Sequence, residues 1–261
     1  MKSTTLHQWN WAGDQSSVIA LHGWGGSGLD FARLADASSA RWCAPDLLGH
    51  GLSPVPKGES AYALDSQLAS LACLRLRADF LLGYSMGGRL ALHAALQTDE
   101  PQRGLILIGA SPGLREGPEK ETRRRWDLEQ AQSIQRNGAP LHMETWQSHP
   151  LIASQAKLVD PATYQYMMNR RREASAAGLA SSFRRFGAGT MPDCWEALPG
   201  LKTPTLLVVG AEDARYRAIA EEMQALLPNA HLLIVANAGH AAHLENPADF
   251  LDGVHHWMSG R

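Results

Sequence analysis

The chain has 261 residues, enough for one sizeable hydrophobic core, and a formal net charge of −2. A charge so close to zero argues against nucleic acid or an anionic membrane surface as the main partner. No apolar run approaches the roughly 20 residues of a membrane span, and the first residues lack the apolar core of a signal peptide, so we expect a cytoplasmic protein of one domain.

The first predicted strand, Val18–Leu21, runs into a glycine-rich turn, His22–Gly26 (HGWGG). Such a turn can direct a backbone N–H towards an oxygen on which negative charge develops during a reaction. We assign this oxyanion donor to the backbone of Trp24 and expect its indole to form a pocket wall or to pack in the core. The alternative is a loop that caps a helix beginning near Ser27.

The next strand is predicted at Arg41–Pro45, followed by the loop Asp46–Ser53. Asp46 and His50 in this loop are residue types that take part in catalysis. We interpret the loop as a structural one beside the site. A helix is then predicted over Ala61–Leu76.

The most informative segment is Gly83–Gly87 (GYSMG), a G-x-S-x-G pentapeptide between the apolar run Ala78–Leu82 and the helical pattern Gly88–Leu96. A strand that enters a helix through this turn presents the serine at the carboxyl end of the strand, as in a nucleophile elbow. Ser85 is therefore the predicted catalytic serine, and the N–H of Met86 is the predicted second oxyanion donor. The alternative is an ordinary tight turn.

After a strand at Leu105–Gly109, the alternation of strands and helices stops. Residues 111–198 show helical patterns and no credible strand. Four helices are predicted there, at Glu119–Arg136, Leu141–Leu158, Ala162–Arg171 and Ala176–Phe186. We predict that residues 111–198 form a helical cap over Ser85, while residues 1–110 and 199–261 form the core.

The predicted cap carries much of the positive charge of the chain. Its arginines are Arg123, Arg124, Arg125, Arg170, Arg171, Arg172, Arg184 and Arg185. Guanidinium groups bind carboxylates through paired hydrogen bonds, so a set of them above a serine indicates an anionic substrate. Arg89, one helical turn after Ser85, strengthens this interpretation. The alternative for each single arginine is a solvated surface position.

Alternation returns after the cap, with strands at Thr205–Gly210 and His231–Val235 and helices at Tyr216–Leu227 and Ala248–Met258. Asp213 follows the first of these strands and is the predicted acid, with Glu212 as its rival. His240 follows the second and is the predicted base, with His243 as the competing imidazole. Serine, acid and histidine in this order are typical of the α/β-hydrolase fold. We therefore predict that fold, a mostly parallel sheet flanked by helices with a helical cap insertion.

Several longer segments resemble one family of this fold. They are Tyr84–Arg89, Ser111–Leu114 with Arg123, Trp146 before His149 and Pro150, Arg171 before Gly178–Ala180, Gly189 and Thr190 before Trp195, Gly210–Asp213 with Arg217, and Gly239–Pro247. Together they are similar to the 2-succinyl-6-hydroxy-2,4-cyclohexadiene-1-carboxylate synthases of menaquinone biosynthesis, over nearly the whole chain. The sequence departs from the family at Arg215, where lysine is usual. A small insertion after Lys157 leaves Arg170 and Arg172 as alternatives to Arg171.

The resemblance implies a lyase. In the family, a ring proton is removed from 2-succinyl-5-enolpyruvyl-6-hydroxy-3-cyclohexene-1-carboxylate and pyruvate leaves. Ser85 would be the base, supported by His240 and Asp213, without an acyl-enzyme. The substrate-binding residues implied are Tyr84, Arg89, Arg123, Trp146 and Arg171. No metal or organic cofactor is implied. The expected partner is a small anionic substrate with several carboxylates, and we expect the protein to be a monomer or a small homo-oligomer.

Cysteine usage agrees with the absence of a zinc site, since the three cysteines are odd in number and scattered. The sequence is also compatible with a second enzymatic function and leaves one non-enzymatic alternative. A carboxylesterase or thioesterase would use Ser85 as a covalent nucleophile on an anionic or carrier-linked ester, and His22–Gly25 also resembles the pimeloyl-carrier methyl-ester esterases. A non-catalytic receptor of the same fold is disfavoured by the intact set of Ser85, Asp213 and His240.

Overall fold

A seven-stranded sheet forms the centre of the protein. The computed structural model describes residues 4–72, 74, 78–98 and 102–261. The strands are β1 (Gln8–Trp11), β2 (Ser17–Leu21), β3 (Arg41–Pro45), β4 (Phe80–Tyr84), β5 (Gly104–Ile108), β6 (Thr205–Gly210) and β7 (Ala230–Val235), in the spatial order β1-β3-β2-β4-β5-β6-β7. All pairs are parallel except β1 with β3. The predicted fold class is confirmed.

The strands β4, β5 and β6 are buried along their whole length because helices cover both faces of the sheet. One face packs against α2 (Leu64–Ala72), α3 (Met86–Leu96) and α8 (Ala214–Leu226). The other packs against α1 (Ala32–Asp36) and α10 (Pro247–Ser259). In addition, the short helix α9 (Ala242–Glu245) follows β7.

Two features of the core differ from the prediction. The edge strand β1 was not predicted, because its four residues alternate between exposed and half-buried positions and carry no apolar run. The predicted helix Ala61–Leu76 begins three residues later, after a 3₁₀ turn at Glu59–Tyr62. Of its predicted end, Cys73 and residues 75–76 lie outside the described residues.

Residues 111–198, all of them described, contain four α-helices, a 3₁₀ turn and no strand. The helices are α4 (Pro118–Trp146), α5 (Gln155–Leu158), α6 (Pro161–Glu173) and α7 (Ala176–Phe186). Ile134, Met143, Leu179 and Phe183 share a small apolar cluster of their own. The helical segment between β5 and β6 therefore has a core separate from the two that flank the sheet.

The predicted helix Leu141–Leu158 is wrong as a single unit. Its first part is the second segment of α4, which ends at Trp146, and turns then separate α4 from α5. Gly138 has φ 77° and ψ 166°, so the long helix consists of two segments that meet at a sharp break. Pro140 follows two residues later and lacks the N–H needed to continue the first segment.

In the described part of the chain, no helix combines the length and the apolar character that crossing a membrane requires.

Candidate active site

Ser85 lies at the sharp turn between β4 and α3. Its φ of 50° and ψ of −109° are unfavourable for a residue with a side chain, which is the strained backbone expected of a nucleophile elbow. Gly87 allows the turn to pack, because a Cβ there would lie 2.2 Å from the Leu21 carbonyl oxygen. The N–H of Ser85 donates to the carbonyl of Ile108 (2.9 Å), which fixes the turn to the neighbouring strand.

A continuous hydrogen-bonded set joins the three residues predicted to act together. His240 Nε2 lies 3.0 Å from Ser85 Oγ, and His240 Nδ1 lies 2.8 Å from Asp213 Oδ2. Asp213 is fixed in turn at the start of α8, where it accepts a hydrogen bond from the N–H of Tyr216 (3.2 Å). Its rival Glu212 is exposed to solvent. The geometry is that of a serine, a base and an orienting acid.

His243, the competing imidazole, does not bond to Ser85. Its ring is buried against Phe31 and Tyr84, with centroid separations of 5.4 and 4.5 Å. Tyr84 also packs 5.4 Å from the ring of His240. The ring of Tyr84 therefore lies against both imidazoles.

One predicted oxyanion donor lies within the elbow, and the other lies in the turn after β2. Met86 is the first residue of α3, so its N–H has no partner within the helix. Trp24 lies in the turn after β2, and its N–H is used by none of the backbone hydrogen bonds found in the described residues. The indole of Trp24 packs in the cap, 4.3 Å from Phe183 and 4.7 Å from Trp146.

His22 braces the glycine-rich turn, a role that the sequence did not reveal. Its Nδ1 lies 2.7 Å from the Gly23 carbonyl oxygen, and its Nε2 accepts from the N–H of Leu47 (2.9 Å). Complete burial lowers the pKa of His22, partly opposed by Asp46, so the neutral form that suits these two bonds is favoured.

Asp46 is structural, as expected. Its carboxylate accepts from the indole of Trp9, the hydroxyl of Ser27 and the backbone N–H groups of Gly28 and Leu52, at 2.7–3.2 Å.

A narrow cavity of about 40 Å³ opens beside Ser85, and its lining includes Tyr84, Trp146, Arg171 and His240. Arg171 is almost fully buried, and its Nη1 donates to Gln155 Oε1 (3.1 Å). Of the three consecutive arginines, it is the one that lines this cavity. Arg170 is instead held by Asp30, with 2.6 Å between Nη2 and Oδ1.

Arg123 lines a second, larger cavity of about 510 Å³ together with Asp213, Tyr216 and His240. Its Nε is held by Asp127 Oδ1 (2.7 Å), and its guanidinium stacks over Trp126 at 4.7 Å. Leu151 and His240 line both cavities, so the two cavities are adjacent.

Arg89 differs from its expected position, since it is not among the residues that line either cavity. It is buried beneath the cap, where its Nη2 donates to the Phe186 carbonyl (3.4 Å) and its Nε lies 3.3 Å from Met191 Sδ. The position one turn after Ser85 directs the side chain towards α7 and the segment after it. Burial lowers the pKa of Arg89, although Tyr216 opposes this.

In the part of the chain that the structure describes, Arg89 and Arg171 are the only arginines more than nine-tenths buried, and neither has a carboxylate within ion-pairing distance. Buried cations are normally neutralised by a partner. The same described residues contain no group of three or more His, Cys, Asp or Glu side chains able to hold a metal ion.

The mostly parallel sheet, the elbow and the hydrogen-bonded serine, histidine and aspartate define a protein of the α/β-hydrolase class. Residues 18–252 match the alpha/beta hydrolase family, to which the chain belongs. Within that class it belongs to the family of 2-succinyl-6-hydroxy-2,4-cyclohexadiene-1-carboxylate synthases, as the following relatives show.

A Bacillus subtilis (strain 168) protein provisionally named as that synthase is 34% identical over 239 residues, covering 90% of this chain and 87% of the relative. The synthase of Salmonella paratyphi C (strain RKS4594) is 30% identical over 242 residues, covering 91% and 92%. The structure of MenH from S. aureus superposes with a TM-score of 0.91 at 27% identity, covering 97% of this chain and 98% of that one. An enol-lactonase from Burkholderia xenovorans LB400 shares the fold, with a TM-score of 0.83 at 20% identity and coverage of 97% and 96%.

Proposed function

We propose that this protein eliminates pyruvate from 2-succinyl-5-enolpyruvyl-6-hydroxy-3-cyclohexene-1-carboxylate and releases 2-succinyl-6-hydroxy-2,4-cyclohexadiene-1-carboxylate. The relatives named as this synthase support the reaction. The observation that carries the proposal to this chain is a pair of buried arginines without carboxylate partners. Arg171 lines the cavity of Ser85, and Arg89 lies one helical turn after Ser85 on α3. A neutral ester would leave both cations uncompensated, whereas a substrate with several carboxylates would neutralise them.

The chemistry follows from the positions of the substituents. The ring carbon that carries the succinyl ketone has an acidic C–H, and Ser85 Oγ removes this proton after passing its own proton to His240. The electron pair first rests on the ketone oxygen as an enolate. It then returns through the ring, so that the ring double bond shifts and the C–O bond to the enolpyruvyl group breaks. The enolate of pyruvate leaves, takes up a proton and becomes pyruvate.

Each part of the site has a role in this sequence. Asp213 orients His240 and stabilises its protonated form. The N–H groups of Trp24 and Met86 stabilise the enolate oxygen, because they are fixed before the charge develops. No covalent bond to Ser85 is required at any step.

The substrate carboxylates are distributed over the arginines. Arg171 binds one of them in the cavity beside Ser85, and Arg123 binds another from the larger cavity across Leu151. Arg89 lies on α3, outside both cavities, and contributes positive charge from there. It reaches a carboxylate when the side chain rotates away from Phe186. Trp146 forms an apolar wall for the ring.

The test follows pyruvate release from the enolpyruvyl substrate together with the intact mass of the protein during turnover. We expect pyruvate release by the native protein, no mass adduct, and a loss of several orders of magnitude in Ser85→Ala, as for residues that act as a unit. A native protein that releases no pyruvate, but accumulates an acyl group on Ser85 from an anionic or carrier-linked ester, would establish an esterase or thioesterase instead.

A further inference from the structure

Glu245 is a buried carboxylate that the reaction above does not use. It ends α9, is 6% exposed and, within the described residues, forms no ion pair with a lysine or arginine. Burial raises the pKa of Glu245, opposed by hydrogen bonds from Ser154 and Gly239. A buried carboxylate destabilises the folded protein unless its oxygens accept hydrogen bonds. The two hydrogen bonds of Glu245 therefore indicate what the residue does.

The two bonds reach different parts of the molecule. One carboxylate oxygen accepts from the N–H of Gly239, the residue immediately before His240. The other accepts from the hydroxyl of Ser154, which lies in the cap, with 2.8 Å between the oxygens. A single side chain therefore connects the turn that carries the base to the cap segment above it.

Ser154 precedes the first residue of α5, where a serine side chain normally accepts a hydrogen bond from its own helix. Here it makes no such cap, and its backbone is already helical (φ −60°, ψ −30°), while its hydroxyl donates to Glu245. The surroundings are crowded, since a Cβ at Gly239 would lie 2.7 Å from Ser154 Oγ. The Ser154 hydroxyl is therefore held by a contact with the core and not by its own helix.

The cap residues beside Ser154 form one side of the reaction cavity. Leu151, Ile152 and Gln155 all line the cavity that contains Ser85. Gln155 also accepts the hydrogen bond from Arg171 Nη1 (3.1 Å). Fixing Ser154 therefore fixes both the wall over Ser85 and the residue that orients a substrate-binding arginine.

We propose that Glu245 is a positioning residue that locks the cap segment 151–155 to the turn of His240, with Ser154 as the cap half of the lock. It fixes the position of His240 relative to Arg171, so that the same conformation of the protein both binds the substrate and removes its proton. Only the kinetic part of the test rests on the proposed function. The structural part needs no substrate.

The kinetic test measures pyruvate release by Ser154→Ala, Glu245→Ala and Glu245→Gln. Ser154→Ala should raise KM about tenfold with kcat within about twofold, because a hydrogen bond to a charged group is lost on the cap side only. Glu245→Ala should lower kcat as well, since the turn before His240 also loses its acceptor. Glu245→Gln should recover most of the loss, because the amide can accept from Gly239 and donate to Ser154.

The structural test measures amide hydrogen exchange of peptides that cover residues 149–158 in the absence of substrate. Exchange should accelerate in Ser154→Ala and in Glu245→Ala, and much less in Glu245→Gln. Ser133→Ala is the matched control. Ser133 is a half-buried cap serine, and among the described residues its hydroxyl accepts only from Asn137 of its own helix. The proposal would be overturned if Ser154→Ala showed the same exchange and the same KM as the control. It would also be overturned if Glu245→Gln behaved like Glu245→Ala. A protein that released no pyruvate but showed the expected exchange would contradict the proposed function alone.

Discussion

Arg89 and Arg171 are both buried without a carboxylate partner. Arg171 lines the cavity of Ser85, and Arg89 lies one helical turn after Ser85 on α3. If they bind substrate carboxylates, replacement of either by alanine removes a charge-assisted hydrogen bond of about 1.5–3 kcal/mol, so kcat/KM for pyruvate release should fall about ten- to a hundredfold. Lysine should rescue only in part, because a point charge does not reproduce the planar fork.

The control for these variants is Arg172→Ala, a neighbour of Arg171 on α6 that is not among the residues lining the cavity of Ser85. It should keep nearly full activity. Hydrolysis of a small neutral ester, where it can be detected, should be almost the same in all variants. Equal losses on the neutral ester would mean that these arginines support the fold and do not bind the substrate.

The assignment of Asp213 as the acid can also be tested with single substitutions. Asp213 bonds to His240, while the adjacent Glu212 is exposed. Asp213→Asn should leave thermal unfolding nearly unchanged and lower kcat by several orders of magnitude, because an amide no longer favours the required tautomer of the imidazole. Glu212→Gln should remain active, and the assignment would be wrong if that variant lost more activity than Asp213→Asn.

At the scale of elements, the break within α4 is encoded by a few residues. The sequence separates helical patterns on either side of residues 137–140, and the structure has two helical segments that meet at Gly138, where the backbone is not helical. Gly138 occupies a backbone region that is almost restricted to glycine. The orientation of Trp146 and His142, which share an aromatic cluster with Trp24, depends on this bend.

Gly138→Ala tests this dependence. The substitution should destabilise the protein by about 1–3 kcal/mol, because alanine must adopt an unfavourable φ or straighten the helix. Thermal or urea unfolding measures the loss. Gly200→Ala is the matched control, since a Cβ at Gly200 meets no atom within 4 Å and the residue has no positive φ. Similar stability of the two variants would show that the break is not held by Gly138.

At the scale of the whole molecule, the residues predictable from sequence are those with a local signature. The elbow around Ser85 and the positions of Asp213 and His240 after buried strands depend on short patterns, and the hydrogen-bonded set follows from them. The bond between Ser154 and Glu245 joins residues 91 positions apart and has no local pattern. The same holds for the brace between His22 and Leu47, because only the packed sheet brings their loops together.

Two buried histidines make the stability of the whole protein depend on pH. Burial lowers the pKa of His50 and of His243 to about 3, with a smaller contribution from a neighbouring histidine in each case. An unfolded histidine takes up a proton as the pH falls through about 6.5, while these two stay neutral in the folded state. The unfolded state then binds more protons, so the free energy of unfolding must decrease as the pH falls below that value.

Each such histidine contributes a slope of about 1.4 kcal/mol per pH unit, with the full effect well below pH 6.5. Glu245 acts in the opposite sense, because its raised pKa favours the folded state as the pH falls. Urea unfolding between pH 7 and pH 5 should show His243→Leu losing part of the pH dependence of the native protein, since leucine can occupy the apolar site between Phe31 and Tyr84 without titrating. An unchanged slope in His243→Leu would mean that this imidazole is protonated as readily in the folded protein as in the unfolded chain.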